Sequence, residues 1–138
     1  MAGILRVDTV DMETNGLTVE RVVGHRSAPK KRWPRKTVPG RVDTVTIANE
    51  PMWEPRKVEV YGTIIGTDHA DAMTNRDSLE TAIHTPDTVD VSFIDNLTQK
   101  LVCECEGFEV WDLPAGFIQP GFRVKITLIA NDPRYVAV

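Results

Sequence analysis

The chain has 138 residues, of which 41% are hydrophobic and 26% charged, and its formal net charge is −4. A chain of this length can bury about two-thirds of the surface that its unfolded form exposes, so it needs neither disulfides nor a metal for a stable core. No apolar run approaches the roughly 18 residues of a membrane span. The apolar stretch before Asp8 is too short for a secretory signal. We therefore expect a soluble protein made in a cytoplasm, folded as one domain over residues 1–138.

The charge is unevenly distributed along the chain. From Arg21 to Arg41 there are eight Lys and Arg residues and no Asp or Glu. The rest of the chain holds the other eight basic residues and all 20 acidic ones, a net charge of −12. A +8 segment beside a −12 body is electrostatically complementary to another copy of the same chain. The charge pattern therefore favours self-assembly.

Most of the chain alternates between apolar and polar residues, which is the period of a half-buried β-strand. Shorter stretches near residues 4–12 and 42–48 have the same character. A hairpin turn is predicted at Asp95–Thr98, between two of the patterns. The clearest alternating segments are Leu17–Val23, Val58–Ile65, Val89–Ile94, Leu101–Glu106 and Phe122–Ile129.

One segment, Asp68–His84, has the spacing of an α-helix instead. Thr67 or Asp68 can cap its start, and Pro86 prevents much continuation beyond its end. The sequence thus predicts an α+β fold, mainly β, with one short helix packed on the sheet. The apolar residues at helical spacing are Ala72, Leu79, Ala82 and Ile83.

Residues 24–40 contain three prolines and six bases, which favours a long, extended and solvated basic loop. Such a loop is usually functional or disordered. It could bind a phosphate backbone, with Trp33 stacking on a base, or it could dock on an acidic neighbouring subunit. Docking is favoured because nucleic-acid binders are more often basic overall. The six bases are Arg26, Lys30, Lys31, Arg32, Arg35 and Lys36.

Apolar side chains on the other connectors are further candidates for a subunit interface. Trp53 lies between two prolines, and Phe117 and Ile118 lie between Pro114 and Pro120. Large apolar residues in such positions are frequent interface anchors.

We predict no catalytic, metal or cofactor site and no small-molecule substrate. Cys103 and Cys105 are two residues apart in a strand, which is poor disulfide geometry, and a tetrahedral zinc site needs four ligands. They are expected to be reduced thiols facing the core. The aspartates around His69 are explained by capping at the start of the helix.

The order of these segments resembles the distal tail proteins of siphophages. A strand from Pro55 runs into Gly62-Thr-Ile-Ile-Gly66, and a short helix follows. This helix corresponds to Asp68–His84. Next come a strand with an acidic turn, Val89–Asp95, and a return strand, Lys100–Val110, and the domain closes with a strand that runs into an Asp-Pro-aromatic ending, Val124–Tyr135. Asn15-Gly16-Leu17 and Val38-Pro39-Gly40 precede these segments and are also similar.

The resemblance implies a β-sandwich or barrel-like domain related to tail-tube subunits. It also implies a hexameric ring at the virion tail tip, which connects the tail-tube protein to the tail-tip hub protein and lets DNA through in transit. Many family members continue into a second β-rich domain, whereas this sequence ends soon after Tyr135. The resemblance therefore implies the ring-forming role but does not imply binding to the host surface. A tail-tube or tail-completion subunit is the alternative, and a small nucleic-acid-binding module is the competing class.

Overall fold

The structure is a computed structural model that describes residues 5–8, 10–32, 35–37, 40, 44–46, 52–93, 96–113 and 120–137. Within these ranges the fold is α+β and mainly β, as predicted, with antiparallel strands and one α-helix, α1 (His69–Ile83). A 3-10 turn spans Met12–Asn15. The strands are β1 Leu5–Val7, β2 Val10–Asp11, β3 Leu17–Val23, β4 Lys31–Arg32, β5 Arg35–Thr37, β6 Thr44–Thr46, β7 Met52–Trp53, β8 Arg56–Ile65, β9 Val89–Phe93, β10 Asn96–Asp112, β11 Gly121–Ala130 and β12 Val136–Ala137.

The alternating segments of the sequence form the long strands because every second side chain enters the core. Val58, Val60 and Ile64 of β8 are fully buried, and β11 repeats the pattern. The residues between them are polar and more exposed on most of these strands. Burying one such aliphatic side chain contributes about 1.5–3 kcal/mol. These strands therefore supply much of the core.

Helix α1 begins at His69 and ends at Ile83, within one residue of the predicted bounds at each end. The Asp68 side chain accepts a hydrogen bond of 2.8 Å from the backbone N–H of Asp71, so Asp68 is the cap. The helix packs on β8 and β11 through a narrow apolar face. Its buried residues are Ala72, Leu79 and Ile83.

Strand β10 belongs to two parts of the sheet. Its first part pairs with β9, where Leu101 lies opposite Val91, and β1 and β2 follow outward. Its second part, residues 104–112, pairs with β11, and β8 and β3 follow. The register shifts between Cys105 and Gly107, where the change of partner takes place. Both parts contribute side chains to one core, together with α1.

Two predictions about connectors are wrong in part. The predicted antiparallel hairpin joins β9 and β10, but its turn is not at Asp95–Thr98, because Asn96 already pairs with Phe93. Residues 24–40 were expected to be an extended, solvated loop. Instead, Lys31–Arg32 pairs with Met52–Trp53, and Arg35–Thr37 pairs with Thr44–Thr46. Basic residues do not prevent a strand from forming when a partner strand lies beside it. The short strands were not predicted because the prolines in this segment favoured a loop.

Candidate assembly surface

The second part of β10 and the three strands beyond it form a four-stranded unit, β10–β11–β8–β3, which we call the half-sheet. Residues 104–112 of β10 pair with β11 along one of their two sides. Along their other side, no strand in the described ranges pairs with them. β3 pairs with β8 and ends the strand order at the other side. Over the described residues, the half-sheet therefore has two edges without a partner strand, which we call its free edges: the β10 edge (residues 104–112) and the β3 edge (residues 17–23).

The two free edges differ in charge. The β10 edge carries four acidic residues and no basic one, and all four acids are exposed. The β3 edge contains Glu20 and Arg21, so it has no net charge, and it leads directly into the basic run of the sequence. The acidic β10 edge and the start of the basic run therefore lie at opposite sides of the same half-sheet. The four acids are Glu104, Glu106, Glu109 and Asp112.

The outward face of the half-sheet is centred on Tyr61. The guanidinium of Arg21 lies 4.3 Å from its ring centre, and the ammonium of Lys125 lies 5.7 Å away. The Tyr61 hydroxyl donates a 2.9 Å hydrogen bond to Glu59, and this bond lowers the pKa of that carboxyl. Trp111 is 46% exposed. This face combines aromatic rings with charges of both signs.

Residues 24–55 leave the half-sheet between β3 and β8 and form what we call the arm. Its two short ladders, β4 with β7 and β5 with β6, are both antiparallel and follow one another along the same excursion of the chain. Near the body, the backbone N–H of Glu54 donates a 3.0 Å hydrogen bond to the carbonyl of Lys30. Residues 31–32 and 35–37 of the basic segment are therefore held in ladders with the returning part of the arm.

The base of the arm is fastened to the body by Arg56. This side chain is only 6% exposed. It donates hydrogen bonds to the carbonyls of Pro133 and Gly24, at 3.0 and 2.9 Å, and to the hydroxyl of Ser27 at 3.1 Å. Its guanidinium also lies 5.6 Å from the ring centre of Tyr135. Arg56 thus joins the start of the arm to the segment after β11.

Trp53 lies next to this contact and is half-buried. The Lys31 ammonium and the Arg134 guanidinium lie 5.5 and 5.1 Å from its ring. Arg134 donates two 2.9 Å hydrogen bonds to Asp132, which lower the pKa of Asp132 and raise the pKa of Arg134. Because its ring already has cationic neighbours within the chain, Trp53 supports the base of the arm.

A groove opens beside Arg56, between the start of the arm and its return. Its lining includes Lys30 and Lys57, whose side chains are exposed, with Arg56 as the buried member. Lys57 also forms a 3.6 Å ion pair with Glu59. We call this feature the cationic groove. The remaining lining residues are Ser27, Ala28, Pro29, Glu54, Pro55 and Pro133.

The predicted interface residues are distributed unevenly over the described ranges. Arg26, Lys30 and Lys31 are exposed at the start of the arm. The backbones of Arg32, Arg35 and Lys36 lie in strands, and their side chains fall outside the described part. Trp33, Phe117 and Ile118 lie outside the described residues altogether.

Sequence reasoning did not identify Arg56, Tyr135 or the two free edges. An Arg at the start of a strand looks like an ordinary solvated residue, and only its burial distinguishes it. Tyr135 was noted as part of the Asp-Pro-aromatic ending, but its contact with the arm could not be read from the pattern. The free edges depend on strand order, which a single sequence does not state.

The two cysteines are free thiols, as predicted. Burial raises the pKa of Cys103 to about 12 and also raises the pKa of Cys105. Nδ1 of His84 lies 3.4 Å from Sγ of Cys105. Across the described ranges, no three His, Cys, Asp or Glu side chains are grouped closely enough to hold a metal ion. In the same ranges, no helix is both long and apolar enough to span a membrane.

The strand order, the single helix on the half-sheet and the paired arm define a class of mainly antiparallel α+β domains with an extended hairpin between two neighbouring strands. A solved structure with a similar fold is that of the Dit protein (gp 19.1) of phage SPP1, described as a paradigm of the hub adsorption apparatus in phages that infect Gram-positive bacteria. The TM-score is 0.73 at 20% sequence identity, over 98% of this chain. At this identity the likeness shows the fold alone.

The chain spans about half of the SPP1 protein, 52% of its length. No protein-family model matches the sequence, and no curated protein matches it.

Proposed function

We propose that the chain is a structural, non-enzymatic subunit of a phage tail tip, a distal tail protein that assembles into a ring. The single observation that carries this proposal is the half-sheet with two free edges of different charge. The fold of SPP1 Dit supports it, because that protein belongs to a hub adsorption apparatus.

Free edges present unpaired backbone N–H and C=O groups, and proteins generally pair or cover them. Here the two edges differ, so the β10 edge of one copy would meet the β3 edge of the next. Such a head-to-tail contact produces a closed ring or an open filament, whereas a two-fold dimer needs the same surface on both partners. The edge geometry therefore favours head-to-tail assembly, of which a closed ring is one form, over a two-fold dimer.

Strand direction is compatible with this contact. β10, β11, β8 and β3 are each antiparallel to their neighbours, so β3 runs opposite to β10. The β3 edge of one copy and the β10 edge of the next would consequently pair as antiparallel strands. Each added copy would continue the alternation without interruption.

The arm would strengthen the ring by reaching an acidic surface of a neighbour, in the same ring or the adjoining one. Its bases at Arg26, Lys30 and Lys31 are exposed. The proposed interface further includes Arg32, Trp33, Arg35, Lys36, Trp53, Phe117 and Ile118.

In this role the subunit would form a homohexamer at the virion tail tip, after synthesis in the bacterial cytoplasm. The ring would connect the tail-tube protein to the hub protein, and DNA would pass through its opening. The chain would act as one ring-forming domain over residues 1–138. A tail-tube or tail-completion subunit of similar fold would assemble through the same edges.

The test is the native mass of the purified protein at several concentrations and two ionic strengths. We expect a discrete hexamer, or a smaller oligomer that becomes one as the concentration rises. Reversing Lys30, Lys31 and Arg32 to Glu should weaken assembly, and the difference from the wild type should shrink at high salt. A protein that stays monomeric at all concentrations would contradict ring formation.

The nucleic-acid alternative is tested by titrating labelled DNA at the same two ionic strengths. Binding that falls steeply with salt and disappears in the same triple variant would favour a DNA-binding module. Weak binding that is unchanged by the substitutions would favour the assembly role.

A further inference from the structure

The cationic groove lies at one particular end of the half-sheet. At this end β3 finishes, β8 begins and β11 finishes, as the pairing of Val23 with Glu59 and of Arg56 with Ala130 shows. The β10 edge starts at the same end, because Glu104 pairs with Ile129. The groove and the first acids of the β10 edge are therefore level with each other, on opposite sides of one chain.

This placement determines what a neighbouring copy would bring to the groove. If the β10 edge of the next copy pairs antiparallel to the β3 edge, its first residues lie beside the last residues of β3. The chain after Val23 leads within a few residues into the groove. Glu104 and Glu106 of the next copy would consequently arrive at the groove.

The chemistry of the groove suits a carboxylate. The three oxygens that accept hydrogen bonds from Arg56 are two carbonyls and a hydroxyl, so none of them neutralises the guanidinium. Arginine keeps its proton even when buried. Lys30 and Lys57 add two exposed ammonium groups at the rim, and Lys57 pairs with Glu59 at 3.6 Å. The lining thus has three bases and one acid, Glu54, and a net positive charge. Hydrogen bonds from such cations to a carboxylate are the strong class of hydrogen bonds.

The other acids of the β10 edge are less suited to this role. Glu109 lies opposite Lys125 of its own chain. Asp112 is the last residue of β10 and lies at the far end of the edge. Glu104 and Glu106, by contrast, are both exposed at the start of the edge, where Glu104 accepts a 3.3 Å hydrogen bond from the neutral side-chain amide of Asn131.

We propose that the cationic groove of one copy binds Glu104 and Glu106 of the next copy, and that this contact sets the direction and register of the ring. The inference rests on the proposed ring and adds the particular groups that join its subunits. It explains why the groove and the acids occur on opposite sides of the half-sheet.

Two variants of the full chain test the proposal. The groove variant carries Lys30→Glu and Lys57→Glu, and the acid variant carries Glu104→Lys and Glu106→Lys. All four positions are exposed, so each variant should keep the fold, which circular dichroism and thermal unfolding check. The buried Arg56 stays unchanged because its loss would disturb the base of the arm.

Each variant alone should assemble poorly, because every interface would bring like charges together. We expect the concentration for half-assembly to rise on the order of tenfold or more, as like-charge contacts cost several kcal/mol. An equal mixture should assemble again. The reversed groove of one variant then meets the reversed acids of the other, and the two unchanged surfaces meet as in the wild type. Native mass spectrometry should show oligomers with equal numbers of both variants.

Asp112→Lys is the matched control, because it reverses an exposed acid on the same edge at the end away from the groove. It should assemble much more like the wild type than the acid variant does. Variants that assemble normally on their own, or a mixture that does not recover, would overturn the groove contact while the wild-type ring stands. A wild-type protein that never assembles would overturn the ring and the groove contact together.

Discussion

The hydroxyl of Tyr135 donates a 2.7 Å hydrogen bond to the backbone carbonyl of His25, across 110 positions of the sequence. Together with Arg56, this bond ties the segment after β11 to the first residues of the arm. The direction in which the arm leaves the half-sheet therefore depends on the side chains of Arg56 and Tyr135.

Replacing Tyr135 with Phe should lower the free energy of unfolding by about 1 kcal/mol, because a single hydrogen bond is lost while the ring remains. Arg56→Met should cost more, about 2–4 kcal/mol, because it removes three hydrogen bonds from a charged donor and leaves their acceptors with fewer partners. Urea unfolding of both variants measures the difference. Equal and negligible effects would show that the base of the arm does not contribute to stability.

Gly66 is required by close packing between the end of β8 and the start of α1. A Cβ atom there would lie 2.3 Å from the backbone nitrogen of Ala72. We expect Gly66→Ala to destabilise the protein by about 1–3 kcal/mol or to shift the helix. Gly107→Ala is the control, since its Cβ would approach nothing closer than Thr127 at 3.7 Å. Thermal unfolding of the two variants should differ clearly, and a similar loss in both would argue against the packing explanation.

Asp68 caps the helix through the backbone N–H of Asp71. Asp68→Ala should reduce the free energy of unfolding by about 1 kcal/mol. Asp68→Asn keeps an acceptor oxygen and should retain most of that stability. Chemical denaturation compares the three proteins, and an Asn variant as unstable as the Ala variant would point to the charge of Asp68 instead of the cap.

The buried thiol of Cys103 should react with a thiol reagent at pH 8 only when the protein unfolds. Single variants Cys103→Ala and Cys105→Ala separate the two thiols in this assay. Rapid modification of Cys103 in the folded protein would contradict its burial.

The same thiol makes stability depend on alkaline pH. Burial raises the pKa of Cys103 from an ordinary 9.0 to about 12 in the folded state. The protonated thiol is thus favoured by folding, and its contribution is complete below pH 9 and is lost as the pH rises toward 12. Over this range the free energy of unfolding should fall about 1.4 kcal/mol per pH unit more steeply than in Cys103→Ala. Parallel pH profiles for the two proteins would contradict the raised pKa.

The sequence alone predicted the strands and the helix whose hydrophobic pattern follows from burial. β8 and β11 alternate because one face enters the core, and α1 carries a cap and an apolar spacing of its own. The resemblance to distal tail proteins rested on the order of these same elements, and the fold agrees with it. Local physical preference and tertiary structure coincide in these segments.

What the sequence could not supply depends on contacts between distant segments. The ladder of Lys31–Arg32 with Met52–Trp53 joins residues about twenty positions apart that lack a clear alternation. The continuation of β10 through the shift at Cys105–Gly107 depends on a change of partner strand. Arg56 looks unremarkable until its partners at Gly24 and Pro133 are known. The free edges likewise follow only from the complete strand order.

The position of β11 has a consequence for the timing of assembly during synthesis. Among the described strands, the acidic edge of β10 pairs only with β11, the last long strand there, so the backbone pairing of this edge is complete only after β11 has been made. In the proposed ring, a nascent or partly folded copy would lack one of the two surfaces needed to join its neighbours. Growth of the oligomer would thus be restricted to copies that have finished folding.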